Sequence, residues 1–272
     1  MKTAFLFPGQ GAQYPGMARD LFDANPRVRD LFALAADATG IDVKRLLFDG
    51  SEDELKETVN TQVSVTLANL ASSVVLDDRG IKAQGTAGFS LGEYAALVEA
   101  GVLTSSQVFP LVKLRGELMS QAAAALDRSA GPPGMAAVIG LSPDRVDEVL
   151  GAASIPDLFG ANYNSPNQVV ISGTAAGLSR GVEALKAAGA RRVVLLKVSG
   201  PFHSPLLSEA SRTLEEALKS VEFRDPNKAL FSNVTGALVA SGREAKTLAV
   251  RQVVSPVRWT TEEKSLLDAG FD

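Results

Sequence analysis

Two stretches of the 272-residue chain carry the pattern Gly-x-Ser-x-Gly: Gly88-Phe89-Ser90-Leu91-Gly92 and Gly177-Leu178-Ser179-Arg180-Gly181. Such a serine can act as a nucleophile when a strand precedes it and a helix follows. The sharp turn between them exposes the hydroxyl, the glycines leave room, and the helix N-terminus favours developing negative charge. Residues 82–87 read as a strand and 91–100 as a helix, so Ser90 has that setting. Ser179 falls inside a helical pattern capped by Thr174, with Leu178, Val182 and Leu185 on its apolar face, and reads as a helix-surface residue. A serine hydroxyl needs a base to activate it, and the only histidine is His203. It lies in Ser199-Gly200-Pro201-Phe202-His203-Ser204-Pro205, a turn between elements of the kind that carries catalytic groups, although a lone histidine is more often structural. No acidic residue stands out as a third triad member, which leaves room for a dyad oriented by a backbone carbonyl.

Two further stretches bear on the same chemistry. Residues 7–13, Phe-Pro-Gly-Gln-Gly-Ala-Gln, follow the first strand and read as a glycine-rich turn able to offer a backbone N–H to an oxyanion. The competing dinucleotide fingerprint fails, because its third glycine is replaced by Tyr14. Arg115 sits on an apolar stretch of helix. It reads either as an ordinary surface or ion-paired arginine or as a bidentate clamp on a substrate carboxylate.

Composition narrows the field. There is no cysteine and one histidine, which removes disulfides, thiolate chemistry and imidazole-rich zinc sites, and no metal site is expected. The formal net charge of −4 argues against a general nucleic-acid binder. No apolar run is read as approaching the roughly 18 residues that span a bilayer, and the N-terminus is too soon broken by Pro8-Gly9 to be a signal peptide. A cytoplasmic protein with no membrane segment is expected.

These groups must be positioned by an α/β framework. A strand is expected at 3–7 and helices at 25–39, 61–78, 91–100 and 104–126, with Gly80 closing the second and Thr104 capping the last. The run Ser129-Ala130-Gly131-Pro132-Pro133-Gly134 marks a hinge. After it the order strand (135–139), helix (142–150), strands (158–163 and 168–172), helix (174–188), strand (191–198) spells βαββαβ, the ferredoxin-like unit. A helix at 204–220, a strand near 229–232 and a helical stretch from 260 complete the chain. The expected architecture is an α/β-hydrolase-like core with a parallel sheet, residues 1–132 and 199–272, carrying an inserted ferredoxin-like subdomain at 133–198.

Six segments together resemble the malonyl-CoA:acyl-carrier-protein transacylase family, which includes the acyltransferase domains of fatty-acid and polyketide synthases. They are residues 7–13, 88–94, 111–119, 162–173 (NYNSPNQVVISG), 198–207 (VSGPFHSPLL) and 252–260 (QVVSPVRWT). The resemblance implies that Ser90 carries the acyl group, His203 activates it, and backbone N–H groups of Gln10 and Leu91 form the oxyanion hole. It further implies that Arg115 holds the malonyl carboxylate, Asn162 lines the cleft between subdomains, and the backbone carbonyl of Gln252 orients the imidazole. Phe202 matches the form typical of malonyl-selective members. The implied reaction is ping-pong transfer of malonyl from malonyl-CoA to the phosphopantetheine thiol of an acyl carrier protein, with coenzyme A thioester as substrate and no cofactor. Carrier proteins of this kind are acidic, so Lys186, Arg191 and Arg192 are read either as a basic docking patch or as a solvated face.

Two departures stand out. The family usually has histidine where this chain has Phe89, which bears on local hydrogen bonding and acyl selectivity. Members normally continue beyond Ala269-Gly270-Phe271-Asp272 into a last core strand, so a shortened and less stable chain is expected. Beside malonyl transfer stand a trans-acting polyketide acyltransferase with altered selectivity, a serine hydrolase or esterase, and an inactive carrier-protein docking module.

Overall fold

The computed structural model describes residues 2–271. Strand β1 (Ala4–Phe7) leads into five helices: α1 (Arg19–Ala24), α2 (Pro26–Thr39), α3 (Val43–Asp49), α4 (Glu52–Lys56) and α5 (Thr58–Asp78). Strand β2 (Gly85–Gly88) precedes α6 (Gly92–Glu99) and α7 (Ser105–Ala124). Next come β3 (Gly134–Ile139), α8 (Pro143–Ala153), β4 (Leu158–Ser165), β5 (Gln168–Gly173), α9 (Ala175–Ala187) and β6 (Arg192–Leu195). A 3-10 turn at Pro205–Leu207 then introduces α10 (Ser208–Leu218), β7 (Ala229–Leu230), α11 (Gly242–Gln252) and α12 (Trp259–Asp268).

Local chemistry sets many of these boundaries. Asn25 caps α2 by accepting from Arg27 N–H, with Pro26 preset at the first helical position. Thr104 and Gln107 form a reciprocal capping box on α7. Ser142, Thr174 and Ser241 cap α8, α9 and α11, each hydroxyl accepting a backbone N–H of the first turn. Gly80, at φ 75°, closes the turn after α5. That helix differs from its expectation. Its 21 residues are long and apolar enough to cross a membrane, yet 67% of its most apolar stretch is buried inside the protein, the setting of a core helix. Thr61, Gln62, Ser64, Thr66 and Asn69 are buried along with its apolar residues.

The two sheets have different characters. β1, β2 and β7 form a parallel sheet with β2 central, in register Ala4↔Gly85 and Gly85↔Ala229. The small residues Gly85-Thr86-Ala87-Gly88 are all buried. The main apolar core lies on one side of this sheet, and Ala87, Phe231, Leu266 and Phe271 form a lesser cluster elsewhere. The second sheet has the order β4-β5-β3-β6, with every neighbouring pair antiparallel. Alternation along β3 divides its side chains. Ala136 and Val138 join Val146, Ile171 and Leu185 under α8 and α9, while Met135 and Ala137 join the main core. A bridge between Asn162 and Val257 ties the two bodies together, through Tyr163 N–H to Val257 O at 2.9 Å and Val257 N–H to Ala161 O at 2.8 Å.

Candidate active site

Ser90 stands at the junction of β2 and α6 with φ 50°, a left-handed conformation that a serine adopts only when its surroundings hold it there. The flanking glycines are sterically required. A Cβ on Gly88 would lie 2.1 Å from the Gly92 carbonyl, and one on Gly92 would lie 2.0 Å from the Phe7 carbonyl. The chain therefore turns in a space that only backbone can occupy. Ser179, by contrast, is an exposed residue within α9.

The Ser90 hydroxyl lies 2.7 Å from His203 Nε2. On the far side of the ring, Nδ1 lies 2.9 Å from the Gln252 carbonyl and 3.2 Å from that of Ser255. Carbonyls only accept, so Nδ1 carries the proton and Nε2 offers its lone pair to the serine. Burial, reinforced by the positive charge of Arg115, pushes the imidazole pKa down to about 4, so the ring is neutral at neutral pH. No carboxylate touches it among the described residues.

Arg115 is 1% exposed and forms no salt bridge among the described residues. Its guanidinium donates to Gln62 Oε1 at 2.8 Å and Gln252 Oε1 at 3.1 Å, lies 5.3 Å from the Tyr94 ring centre, and leaves Nε without a partner. A cation this deeply desolvated is costly unless a counter-charge reaches it. It opens into a cavity of about 200 Å³ that Ser90, His203, Gln10, Asn162 and Phe202 also line. Ser90, His203, Arg115, Gln10, Asn162 and Phe202, all singled out in the sequence, thus share one small cavity. The backbone N–H groups of Gln10 and Leu91 make no hydrogen bond among the described residues. Asn162 and Phe202 are buried on the wall.

Phe89 lies half-buried on the same cavity, its ring packed edge-on against Trp259 at 5.6 Å. A second depression of about 460 Å³ begins where the first ends, sharing Gln10 and Phe89 and continuing along residues 6–12 to Trp259. Lys186, Arg191 and Arg192 are exposed and have no ion-pair partner among the described residues. Leu196 and Val198, just beyond β6, line the cavity itself. Among the described residues no cluster of three or more His, Asp or Glu could hold a metal.

Several groups at the site escape a reading of the sequence. Gln252 contributes its side chain as well as its carbonyl: Nε2 donates to Ser90 O at 3.0 Å and to Glu93 Oε2 at 2.8 Å. Gln62 reaches in from α5 to Arg115. Beneath the serine lie Asn233 and two buried carboxyls, Glu93 and Glu262. Burial pushes Glu93 up to about 7, and burial beside Glu93 raises Glu262 well above the usual carboxylate range. Glu93 lies within a segment that carried the resemblance, but Asn233 follows a two-residue strand with no periodic signal.

The profile of the acyl transferase domain family matches residues 4–272. The malonyl CoA-acyl carrier protein transacylase of Bacillus subtilis (strain 168) is 36% identical, over 99% of this chain and 84% of its own length. A crystal structure of malonyl CoA-acyl carrier protein transacylase from Clostridium perfringens superposes with a TM-score of 0.93 at 36% identity, covering 100% of this chain and 84% of that one. A type II PKS acyl-carrier protein in complex with its malonyl-transacylase contains a chain that matches with a TM-score of 0.93 and 37% identity, covering 100% and 87%. Matched from end to end in both sequence and fold, the chain belongs to the malonyl CoA-acyl carrier protein transacylases of the acyl transferase domain family.

Proposed function

We propose that this protein transfers a malonyl group from malonyl-CoA to the phosphopantetheine thiol of an acyl carrier protein, through a malonyl ester on Ser90, in fatty-acid or polyketide synthesis. The observation that carries this reading is the buried guanidinium of Arg115, touched by no carboxylate among the described residues, in the same cavity as the Ser90–His203 pair. A hydrolase of neutral esters would gain nothing from that cation, whereas malonate brings the carboxylate it lacks.

His203 Nε2 takes the Ser90 proton as the oxygen attacks the thioester carbonyl carbon. The Gln252 carbonyl steadies the imidazolium that forms, and the free N–H groups of Gln10 and Leu91 receive the oxyanion. Collapse of the tetrahedral species expels the coenzyme A thiolate, which takes the proton from His203. In the second half-reaction the carrier's thiol gives its proton to His203 and its sulfur attacks the Ser90 ester. Serine then leaves and recovers its proton. One thioester is exchanged for another of similar energy, so residues and substrates suffice and no cofactor enters. Asn162 and Phe202 shape the acyl pocket, and the depression running from Phe89 to Trp259 suits the thioester's pantetheine arm. The unpaired Lys186, Arg191 and Arg192 suit an acidic carrier protein at the β6 side of the cleft. The reading places the enzyme in the cytoplasm with its coenzyme A substrate.

The same reading divides the chain into an α/β-hydrolase-like core, residues 1–132 and 199–272, and a ferredoxin-like subdomain at 133–198. Support comes from the serine elbow on a parallel sheet, and from a βαββαβ segment whose antiparallel sheet keeps a small core of its own.

Intact mass after mixing with malonyl-CoA tests the proposal. Wild type and Ser179→Ala should each gain one malonyl group, and Ser90→Ala none. A folded wild type that gains nothing would leave the docking-module reading in its place.

A further inference from the structure

Both backbone polar groups of Ser90 are bonded by side chains far along the sequence, and its carbonyl also accepts from Glu93 N–H at 3.1 Å. Its carbonyl accepts from Gln252 Nε2 at 3.0 Å, and its N–H donates to Asn233 Oδ1 at 2.7 Å. Asn233 also reaches across the turn, donating from Nδ2 to the Gly88 carbonyl at 2.8 Å. One amide therefore clamps the last residue of β2 and the strained residue two positions later. Its orientation is forced. Oδ1 faces two donors, Ser90 N–H and Gln252 Nε2 at 3.2 Å, while Nδ2 faces two acceptors, Gly88 O and Glu262 Oε2 at 2.7 Å. A flipped amide would be mismatched at all four contacts. The Asn233 main chain is fixed as well, through its N–H to Glu93 Oε2 at 3.0 Å and its carbonyl from Arg258 N–H at 2.9 Å. Asn233 is fully buried, and its surroundings include Glu93 and Glu262.

We propose that Asn233 is the positioning residue of the nucleophile: it holds Ser90 in its left-handed conformation and so aims the hydroxyl at His203, while Glu262 fixes its amide and Glu93 its main chain. It touches neither substrate nor the reacting atoms. The chemistry requires an acceptor and a donor on one short planar group, which among the side chains asparagine supplies. Gln62 and Arg115 lie on the malonyl side and make no direct bond to Asn233; the one link runs through Gln252, which accepts from Arg115 and donates to Asn233 Oδ1.

The proposal rests on Ser90 being the nucleophile, and the test uses a serine-directed fluorophosphonate beside malonyl-CoA. Displacement of the hydroxyl by about an ångström can cost on the order of 100-fold in rate. Asn233→Ala should therefore slow both Ser90 phosphonylation and single-turnover malonylation by about 10- to 100-fold, with KM for malonyl-CoA within about threefold of wild type. Asn233→Asp keeps the shape but places an acceptor against Gly88 O and Glu262. The groups it faces are Glu93 and Glu262, with Arg115 and His203 beyond. Its labelling rate relative to wild type should rise as pH falls from 8 to 6, because protonation restores a donor, whereas a merely structural loss would leave the ratio flat. In unaltered protein, the Ser90 amide should be protected from hydrogen exchange, a readout independent of whether the variants fold. Alanine-variant labelling within twofold of wild type, a flat aspartate ratio, or an unprotected Ser90 amide would each overturn the proposal. If wild type is labelled by neither reagent at Ser90, it is the nucleophile assignment that fails.

Discussion

At the scale of single residues, the site is governed by burial without contacting counter-charges among the described residues, Glu93 acting on Arg115 only from a distance. His203 has carbonyl partners instead of a carboxylate, and Arg115 has amide partners instead of an acid. Each leads to a measurable outcome. Because burial holds the imidazole near 4 and not near 6.5, the single-turnover malonylation rate should stay level as pH falls from 8 to about 5.5, then drop as His203 protonates. A stopped-flow or quench profile showing an acid limb near 6.5 would contradict this. Arg115→Ala removes the one cation that lines the cavity among the described residues, so the malonyl-over-acetyl ratio of kcat/KM should fall by roughly 30- to 1000-fold, the equivalent of about 2–4 kcal/mol. Competition between the two thioesters reads it directly. The Ser90–His203 pair was legible in the sequence because its members are chemically scarce: one histidine, and one of two Gly-x-Ser-x-Gly serines with a strand before it. Asn233 and Gln62 were not, because polar residues that bond only to other buried groups leave no pattern along the chain.

At the scale of elements, legibility followed local chemistry. Helices with a capping side chain and an apolar stripe, such as α2, α7 and α9, lay where their sequence signals put them. The short α1, α3 and α4 had no place in the sequence reading, since five to seven residues carry too little periodicity. Missing α11 was avoidable, as Ser241 and Glu244 stand at capping-box spacing before it. Strand ends shifted too: the expected strand at 82–87 begins at Gly85, where pairing with β1 starts. The most demanding junction is the one between β1 and α6. A methyl group on Gly92 would meet the Phe7 carbonyl with no flexible neighbour to yield, so Gly92→Ala should lower stability by about 3 kcal/mol or more. At roughly 2–4 °C per kcal/mol for a chain of this size or somewhat smaller, melting should fall by about 6–12 °C in a calorimetric scan.

For the whole molecule, the buried carboxyls make stability depend on pH in an unusual direction. A carboxyl whose folded pKa is raised favours folding while protonated, and that contribution is lost as pH climbs from the unfolded value through the folded one. His203, shifted the other way, gives stability that is lost only as pH falls from about 6.5 towards 4. From about pH 7.5 upward the histidine is neutral in both states, so Glu93 and Glu262 govern the slope and the urea midpoint should fall. The slope cannot exceed about 1.4 kcal/mol per pH unit for each group, and Glu262→Gln should flatten it. The hydrogen bonds that build the site span long stretches of sequence: 113 residues from Ser90 to His203, 143 to Asn233 and 162 to Gln252. On the ribosome, Ser90 therefore emerges well before His203, Asn233 and Gln252. The nascent chain carries an inert alcohol, and reactivity arrives only with the slow closing of these long loops.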